Sequence, residues 1–280
     1  MVCRVAKPGA LLGIAAGLLI CSSAAALQSQ NNRVTLQWAD LARAAREFSA
    51  ECKVAKAYGP VAPLSSFRRA IKERRFVKVL AIGSSSTVGV GASSPASTYP
   101  VRLENNLEAL VPGLDVRMMN RGVSGETGQG AVQRLKQLVA EHRPDLVIWQ
   151  VGTNDALARI DEDDFADMLR ETLDWLHANG IDVILIDPQY VKRLADDPHY
   201  TNIVNTISKV ATQERILVVN RFGAMADLAK RNGETAYLAP DKFHLNDLGY
   251  RCMAEYAARA IAAGILQAET EAAQKQSAGP

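Results

Sequence analysis

The chain has 280 residues, of which 48% are hydrophobic and 22% charged, a composition typical of a globular protein with one sizeable core. Its formal net charge is +2 at pH 7, and removal of residues 1–26 would bring it to zero, because they contain Arg4 and Lys7 and no acidic residue. A neutral chain lacks the basic surface that nucleic acids require, so no nucleic-acid partner is expected.

Residues 1–26 have the features of a secretory signal peptide. The basic Arg4 and Lys7 come first, an apolar stretch follows at residues 10–20, and the alanines at 24–26 form a cleavage site of the Ala-x-Ala type. The apolar stretch is shorter than the about 20 residues that a membrane-spanning helix needs. We therefore predict export to the periplasm or the extracellular space, with cleavage near Ala26 and no stable membrane insertion.

The four cysteines fall into two pairs. Cys3 and Cys21 lie in the predicted signal peptide. Lipid attachment through Cys21 is the less favoured alternative, because bulky residues precede it where lipoprotein signals carry small ones. In the mature chain, Cys52 and Cys252 either form a disulfide, as is common in exported proteins, or are two separate buried thiols. The sequence leaves both possibilities open.

A helical extension is predicted for residues 27–75. Within it, residues 34–50 place Trp38, Leu41 and Phe48 at helical spacing. This pattern predicts an amphipathic helix that covers the rest of the domain. A loop with two prolines and a short basic helix then lead into the first strand.

The first strand ends in a loop of small hydroxylated residues. Residues 77–82 are apolar without alternation, which is typical of a strand buried on both faces of a parallel sheet. Gly83 ends this run, and Ser84, Ser85 and Ser86 follow it. Open α/β sheets bind ligands at the carboxyl ends of their strands, so these hydroxyl groups mark a candidate site.

Strands and helices alternate along the rest of the chain. Further strands are predicted at residues 114–119, 145–151, 182–187 and 216–220, and helices at residues 99–110, 131–142, 161–179, 200–214, 224–232 and 247–263. The alternation predicts an α/β fold, a three-layer, doubly wound, five-stranded parallel sheet, with the flavodoxin-like strand order 2-1-3-4-5. This domain is assigned to residues 76–266, and the tail at 267–280 is predicted to be disordered.

In this strand order the loops after the first three strands meet. The sequence SGET at 124–127 follows the second strand and GTND at 152–155 follows the third. The serine loop lacks the Gly-Lys-Ser/Thr ending of a phosphate-binding loop and the G-x-G-x-x-G pattern of dinucleotide sites. The four histidines are scattered along the chain. We therefore predict neither a cofactor nor a metal.

Asp241 and His244 stand together in a loop before the last helix. An acid and an imidazole near a serine make up a catalytic triad, in which the imidazole takes the proton of the attacking hydroxyl. By itself Asp-x-x-His is also compatible with an acid that caps a turn beside a surface histidine. Asn154, likewise, could be a turn residue after a strand.

Four segments together resemble the sequence blocks of the SGNH, or GDSL-type, hydrolases. They are GSSST at 83–87, SGET at 124–127, GTND at 152–155 and DKFHLNDLGY at 241–250, in the family's order. The resemblance covers residues 76–263 and implies the fold predicted above. Members of this family are serine esterases, lipases, thioesterases and carbohydrate deacetylases that use no metal.

The resemblance implies roles for five residues. Ser85 matches the nucleophile, and Asp241 and His244 match the acid and the base. The backbone N–H groups of Ser85 and Gly125 and the side-chain amide of Asn154 match the donors of the oxyanion hole, where preorganised hydrogen bonds stabilise the negative tetrahedral intermediate. The chain departs from the family at position 84, where serine stands in place of the aspartate of Gly-Asp-Ser. Alignment from Gly83 still selects Ser85.

These observations predict an exported enzyme that cleaves carboxylic esters through an acyl-enzyme. Aromatic residues make up only 6% of the chain, and no long apolar lid is apparent. We therefore expect short acyl groups, such as acetyl esters of a small molecule or a polysaccharide. Two alternatives remain: an O-acyltransferase that uses the same acyl-enzyme, and a non-catalytic protein that binds an envelope glycan. The oligomeric state is left open.

Overall fold

The computed structural model describes residues 38–277 of the protein. The predicted signal peptide at 1–26 lies outside these residues. So do the first part of the helical extension and the last three residues of the chain.

A five-stranded, fully parallel sheet forms the centre of the structure. Its strands are β1 (Phe76–Gly83), β2 (Asp115–Gly122), β3 (Leu146–Gln150), β4 (Asp182–Ile186) and β5 (Leu217–Val219). Their order is β2-β1-β3-β4-β5, and every neighbouring pair is parallel. The predicted fold and strand order are thus confirmed.

Helices connect and flank the strands. They are α1 (Trp38–Ala44), α2 (Ser65–Glu73), α3 (Ser85–Val88), α4 (Tyr99–Leu110), α5 (Gly128–His142), α6 (Thr153–Leu157), α7 (Glu162–Ala178), α8 (Lys192–Ala195), α9 (Pro198–Gln213), α10 (Arg221–Asn232) and α11 (Asp247–Ser277). Every residue of β3 and β4 is buried. Because successive side chains of a strand point to opposite faces, helices must cover both faces of the sheet.

The register of the sheet brings the ends of three strands together. Gly83 of β1 pairs with Gly122 of β2, and Ile82 pairs with Trp149 of β3. The loops that follow these strands therefore begin at the same level. The order of the sheet reverses around β1, so this edge is the switch point at which α/β proteins bind ligands.

The N-terminal extension is held to the domain by packing and by a covalent bond. Helix α1 ends at Ala44, before the predicted end at residue 50. Phe48 beyond it packs edge-to-face on Tyr256 of α11, with ring centroids 5.7 Å apart. Cys52 and Cys252 form a disulfide with their Cα atoms 5.0 Å apart. Of the two possibilities that the sequence left open, the structure therefore has the disulfide.

The C-terminal segment differs from its prediction. Residues 267–277, expected to belong to a disordered tail, continue helix α11 to Ser277. Ala268 is buried, and the Glu269 carboxylate forms ion pairs with Arg68 and Lys72 of α2. The tail is small and polar, but alanine, glutamate, glutamine and lysine are also strong helix formers, and tertiary contacts hold the added turns in place. Within residues 38–277, no helix has the length and apolarity needed to cross a bilayer.

Candidate active site

The three adjacent serines after β1 have different surroundings. Ser84 is buried, and its backbone N–H and its hydroxyl each lie 3.0 Å from Oε1 of Gln150. Ser86 is buried, and its Oγ accepts a hydrogen bond of 3.1 Å from Nη1 of Arg221. Ser85 is partly exposed and stands at the first position of helix α3. Its hydroxyl alone among the three is committed to no partner in the described part of the chain.

A tight turn between β1 and α3 sets the direction of Ser85. Gly83 has φ of +149°, and a Cβ atom on it would lie 2.6 Å from both the Gln150 carbonyl oxygen and Oγ1 of Thr87. Only glycine fits so close to the neighbouring strand. Because Ser85 begins a helix, its own backbone N–H has no helical acceptor and is available for another partner.

The end of strand β2 packs directly against helix α3, which follows this turn. The side-chain amide of Asn120 donates to the Thr87 carbonyl oxygen at 2.6 Å. A Cβ atom on Gly122 would lie 2.5 Å from the backbone nitrogen of Val88. Beyond this contact, Gly125 has φ of +80°, and apart from Gly125 itself and its two chain neighbours no described heavy atom lies within 4 Å of where its Cβ would be. Its exposed backbone is open to an incoming group.

The loop after β3 is bound to the loop after β2 through two side chains. Nδ2 of Asn154 donates to the Glu126 carbonyl oxygen at 2.8 Å. The buried Asp155 carboxylate accepts from the backbone N–H groups of Gly128 at 2.7 Å and Gly152 at 3.2 Å. Burial raises the pKa of Asp155, and these hydrogen bonds oppose the shift. Asn154 is thus held beside the segment that contains Gly125.

The predicted acid and base are in direct contact. Nδ1 of His244 lies 2.6 Å from Oδ2 of Asp241, and Oδ1 of Asp241 accepts from the backbone N–H groups of Phe243 and His244 at 2.9 Å. Burial by itself raises the pKa of Asp241, but these hydrogen bonds outweigh it and lower the pKa overall. The carboxylate therefore stays ionised at neutral pH, and it fixes the orientation of the imidazole ring.

The histidine loop lies against the segment that follows the serine turn. A Cβ atom on Gly91, which has φ of +94°, would lie 3.2 Å from Cβ of His244. The hydroxyl of Tyr250, on helix α11, donates to the Val90 carbonyl oxygen at 2.7 Å. Ser85 itself makes no hydrogen bond to His244 among the described contacts. Such a bond is often long in a structure without substrate.

Three buried residues of this region were not singled out from the sequence. Gln150 is the one polar side chain in the apolar run 146–151, which was the available signal. Asp155 follows Asn154 and could have been read as a capping residue. Arg221 gave no signal, because an arginine after a strand is ordinarily at the surface. In the described range, no cluster of three or more His, Cys, Asp or Glu is arranged to hold a metal ion.

Relatives of this chain include named esterases. It is 29% identical over 129 residues to the arylesterase of Vibrio mimicus, a match that covers 42% of this chain and 60% of that protein. It is 28% identical over 145 residues to esterase TesA of Pseudomonas aeruginosa, covering 51% of this chain and 70% of that protein. Identity to the acetylxylan esterase of Geobacillus stearothermophilus is 25% over 205 residues, covering 66% of this chain and 93% of that protein.

Solved structures with the same fold come from this group of enzymes. The crystal structure of the Geobacillus stearothermophilus acetylxylan esterase superposes with a TM-score of 0.57 at 25% identity, covering 66% of this chain and 94% of that one. A putative lipolytic protein of the G-D-S-L family from Desulfitobacterium hafniense superposes with a TM-score of 0.55 at 23% identity, covering 66% of this chain and 99% of that one. The second likeness concerns the fold alone.

The sequence model of the non-GDSL lipase-like family matches residues 51–267. The match spans the sheet, the four loops and most of the last helix. The family's name agrees with the serine at position 84, where the Gly-Asp-Ser motif has aspartate. The chain therefore belongs to the non-GDSL lipase-like family, within the SGNH-type ester hydrolases that its sequence motifs predicted.

Proposed function

We propose that this protein is an exported esterase that cleaves carboxylic esters of short acyl groups through a covalent acyl-enzyme. One observation carries the proposal. The hydrogen-bonded pair of Asp241 and His244 lies against Gly91, in the segment that follows the serine turn, and of the three serines in that turn only Ser85 has a hydroxyl without a partner among the described residues. A nucleophile needs this freedom, because its proton must pass to the base when it attacks.

The reaction follows the logic of a serine triad. Ser85 Oγ attacks the ester carbonyl carbon, and its proton passes to Nε2 of His244. Asp241 holds the protonated ring through Nδ1. Collapse of the tetrahedral intermediate breaks the bond to the alcohol oxygen, which takes the proton from His244. Water then attacks the acyl-enzyme with His244 again as base, which releases the acid and restores Ser85.

Three N–H groups are proposed to bind the oxyanion. The backbone N–H of Ser85 lies at the start of a helix, and that of Gly125 lies in an exposed turn with a positive φ. Nδ2 of Asn154 carries two hydrogens, and its bond to the Glu126 carbonyl oxygen occupies one of them. The other is available to the substrate. Donors fixed in this way stabilise the transition state without having to reorganise during the reaction.

A short acyl group is supported by the surroundings of these donors. Val88, Val123 and Leu157 are exposed apolar side chains, and each stands within three residues of Ser85, Gly125 or Asn154. Three exposed aliphatic side chains offer only a small apolar surface, which suits a short acyl group. A relative that matches over 93% of its length is named an acetylxylan esterase. We extend its acetyl-ester class to this chain, with a small molecule or a polysaccharide as the alcohol part.

Export is supported by the predicted signal peptide together with the disulfide between Cys52 and Cys252. Disulfides form and persist in oxidising compartments and are rare in a reducing cytosol. The periplasm or the extracellular space is therefore the proposed location. Ester-bearing glycans of the cell surface or surroundings would be accessible there.

The deciding experiment labels the purified mature protein with a fluorophosphonate. Intact mass is measured for the wild type and for the matched variants Ser84→Ala, Ser85→Ala and Ser86→Ala. The expected result is one adduct, lost only in Ser85→Ala. The absence of an adduct on folded wild-type protein would overturn the proposal in favour of a glycan-binding protein.

Substrate class is tested separately with p-nitrophenyl acetate, butyrate and octanoate and with acetylated xylo-oligosaccharides. We expect kcat/KM to fall as the acyl chain lengthens. Free acetate is the expected product when a sugar acceptor is also present. Acetylated acceptor in excess over free acetate would identify an O-acyltransferase instead.

A further inference from the structure

A buried arginine lies under the serine turn. Arg221 is the first residue of helix α10, two positions after the end of β5, and only 1% of it is exposed. Its Nε donates to the Asp187 carbonyl oxygen at 2.8 Å, and its Nη1 donates to Ser86 Oγ at 3.1 Å. The third guanidinium nitrogen, Nη2, is buried and has no hydrogen-bond partner among the described residues.

The charge of Arg221 has no ion-pair partner within residues 38–277. No carboxylate of the described residues lies within 4.0 Å of its guanidinium nitrogens. The nearby Asp187 uses its side chain otherwise, since Oδ1 accepts from the backbone N–H of Phe222 at 2.9 Å. Burial lowers the pKa of Arg221 and raises the pKa of Asp187 to about 7, so the carboxylate is only partly ionised at neutral pH. Arginine nevertheless remains protonated in proteins.

Three phenols near Arg221 are polar but neutral. The phenols of Tyr99, Tyr200 and Tyr250 interact electrostatically with it, and burial raises the pKa of each of them. They stay protonated at neutral pH. The partly ionised Asp187 therefore offsets the charge of Arg221 only in part, and a positive charge remains beneath the serine turn in surroundings of low dielectric constant, where an electrostatic interaction is stronger than in water.

We propose that Arg221 is a positioning residue for ester hydrolysis, which holds the nucleophile turn through Ser86 and favours the negative charge that develops on the tetrahedral intermediate attached to Ser85. Ser86 is the next residue after Ser85 in α3, so a fixed Ser86 also fixes the backbone N–H and the side-chain direction of Ser85. This inference rests on the proposed function. It adds Arg221, at the start of helix α10, which lies outside the four sequence blocks.

A charge that acts in this way has a kinetic signature. The substrate ester is neutral, whereas the tetrahedral intermediate carries a negative oxygen. Arg221 therefore stabilises the transition state more than the bound substrate, and its loss should lower kcat with little change in KM. A residue that only supported the fold would change the amount or stability of active enzyme instead.

The test compares Arg221→Met, Arg221→Lys and Ser86→Ala in the mature protein, with kcat and KM for p-nitrophenyl acetate and thermal unfolding measured for each. Arg221→Met keeps the volume and removes the charge. We expect it to lower kcat about 10- to 100-fold with KM within about twofold. Arg221→Lys retains the charge. The logarithm of its kcat should lie at least halfway between those of Arg221→Met and the wild type. Ser86→Ala should lower kcat several-fold.

Leu228→Ala is the matched control, because Leu228 is a fully buried residue of the same helix. It should lower the unfolding temperature and leave kcat unchanged. A wild-type kcat in folded Arg221→Met would overturn the inference. The inference would also be overturned if Leu228→Ala and Arg221→Met lost kcat in the same proportion to their loss of stability. If Arg221→Met does not fold, a wild-type kcat in Ser86→Ala overturns it. Absence of fluorophosphonate labelling in the wild type would instead overturn the proposed function.

Discussion

Oε1 of Gln150 accepts hydrogen bonds from both the backbone N–H and the hydroxyl of Ser84. This contact explains how the chain tolerates serine where the Gly-Asp-Ser motif has aspartate. The side-chain oxygen of Gln150 must point at the turn to accept the hydrogen bond from the Ser84 N–H. A side chain at position 84 is therefore required to donate, and a carboxylate there would face another oxygen in a buried place.

Aspartate at position 84, as in the Gly-Asp-Ser motif, should therefore destabilise this protein. We expect Ser84→Asp to lower the free energy of unfolding by about 1 to 3 kcal/mol relative to Ser84→Asn, which has the same shape and can donate. The measurement is urea unfolding of both variants, with fluorophosphonate labelling of Ser85 in parallel. Equal stability of the two variants would show that Gln150 does not determine the residue at position 84.

Asp241→Asn should lower kcat about 10³- to 10⁴-fold, because the amide no longer holds the His244 ring in the tautomer that accepts a proton. The fold should be unaffected, since the side chain is about half exposed. Steady-state kinetics with p-nitrophenyl acetate measures the loss, and circular dichroism checks the fold. A loss below about tenfold would mean that Asp241 is a turn-capping acid and not part of a triad.

The pH dependence of the wild-type enzyme tests the base. The pKa of Asp241 is lowered, so its carboxylate is ionised throughout the range from about pH 5 to pH 8. A rise of kcat/KM over this range would then report loss of a proton from the imidazole of His244. A flat profile between these pH values would contradict His244 as the base.

Asn154→Ala should lower kcat about 100- to 1,000-fold through the loss of one oxyanion donor, with KM nearly unchanged. The substitution also removes the hydrogen bond to the Glu126 carbonyl oxygen, so the unfolding temperature is measured alongside. Asn154→Asp is the matched variant, because it keeps the shape and adds a negative charge beside the oxyanion. If it were as active as the wild type, Asn154 would be a turn residue only.

Removal of the disulfide should affect stability and leave catalysis intact. Cys52 and Cys252 are separated by 200 residues, and closure of so long a loop in the unfolded chain is worth about 2 to 5 kcal/mol. The double variant Cys52→Ser, Cys252→Ser should lose about this much free energy of unfolding and keep its kcat at 25 °C. Denaturant unfolding under oxidising and reducing conditions measures the difference in the wild type. No difference between the two conditions would mean that the bond does not form in solution.

Asp182 should make the protein less stable as the pH rises. Burial raises its pKa to about 6, although the N–H groups of Phe67 and Ser66 lower it in part. An unfolded aspartate has a pKa of about 3.9, so the folded protein binds the extra proton between these values. The contribution of Asp182 to stability is thus fully present below about pH 4 and is lost as the pH rises through about 6.

Asp182→Asn should remove this loss of stability with rising pH, which amounts to about 2 to 3 kcal/mol. The amide keeps an oxygen to accept from Phe67, and position 182 lies at the opposite end of the sheet from Ser85, so activity should not change. Urea unfolding from about pH 4 to pH 8 compares the variant with the wild type. The exposed Asp167→Asn serves as control. Parallel curves for Asp182→Asn and the wild type would contradict the buried titration.

The fold and the location of the site could be predicted from the sequence because they depend on local patterns. Apolar runs such as 77–82 identify buried strands, and the handedness of parallel connections limits their order. Loops at the ends of neighbouring strands then have to meet, so the strand order predicts that the loops after the first three strands lie together.

The contacts that separate the three serines could not be predicted in this way. Ser84 meets Gln150, 66 residues away, and Ser86 meets Arg221, 135 residues away. The disulfide and the anchored end of helix α11 likewise depend on partners distant in the chain. Burial and hydrogen bonding are properties of neighbours in space, so only the tertiary structure decided which serine hydroxyl is free and which arginine lies beneath it.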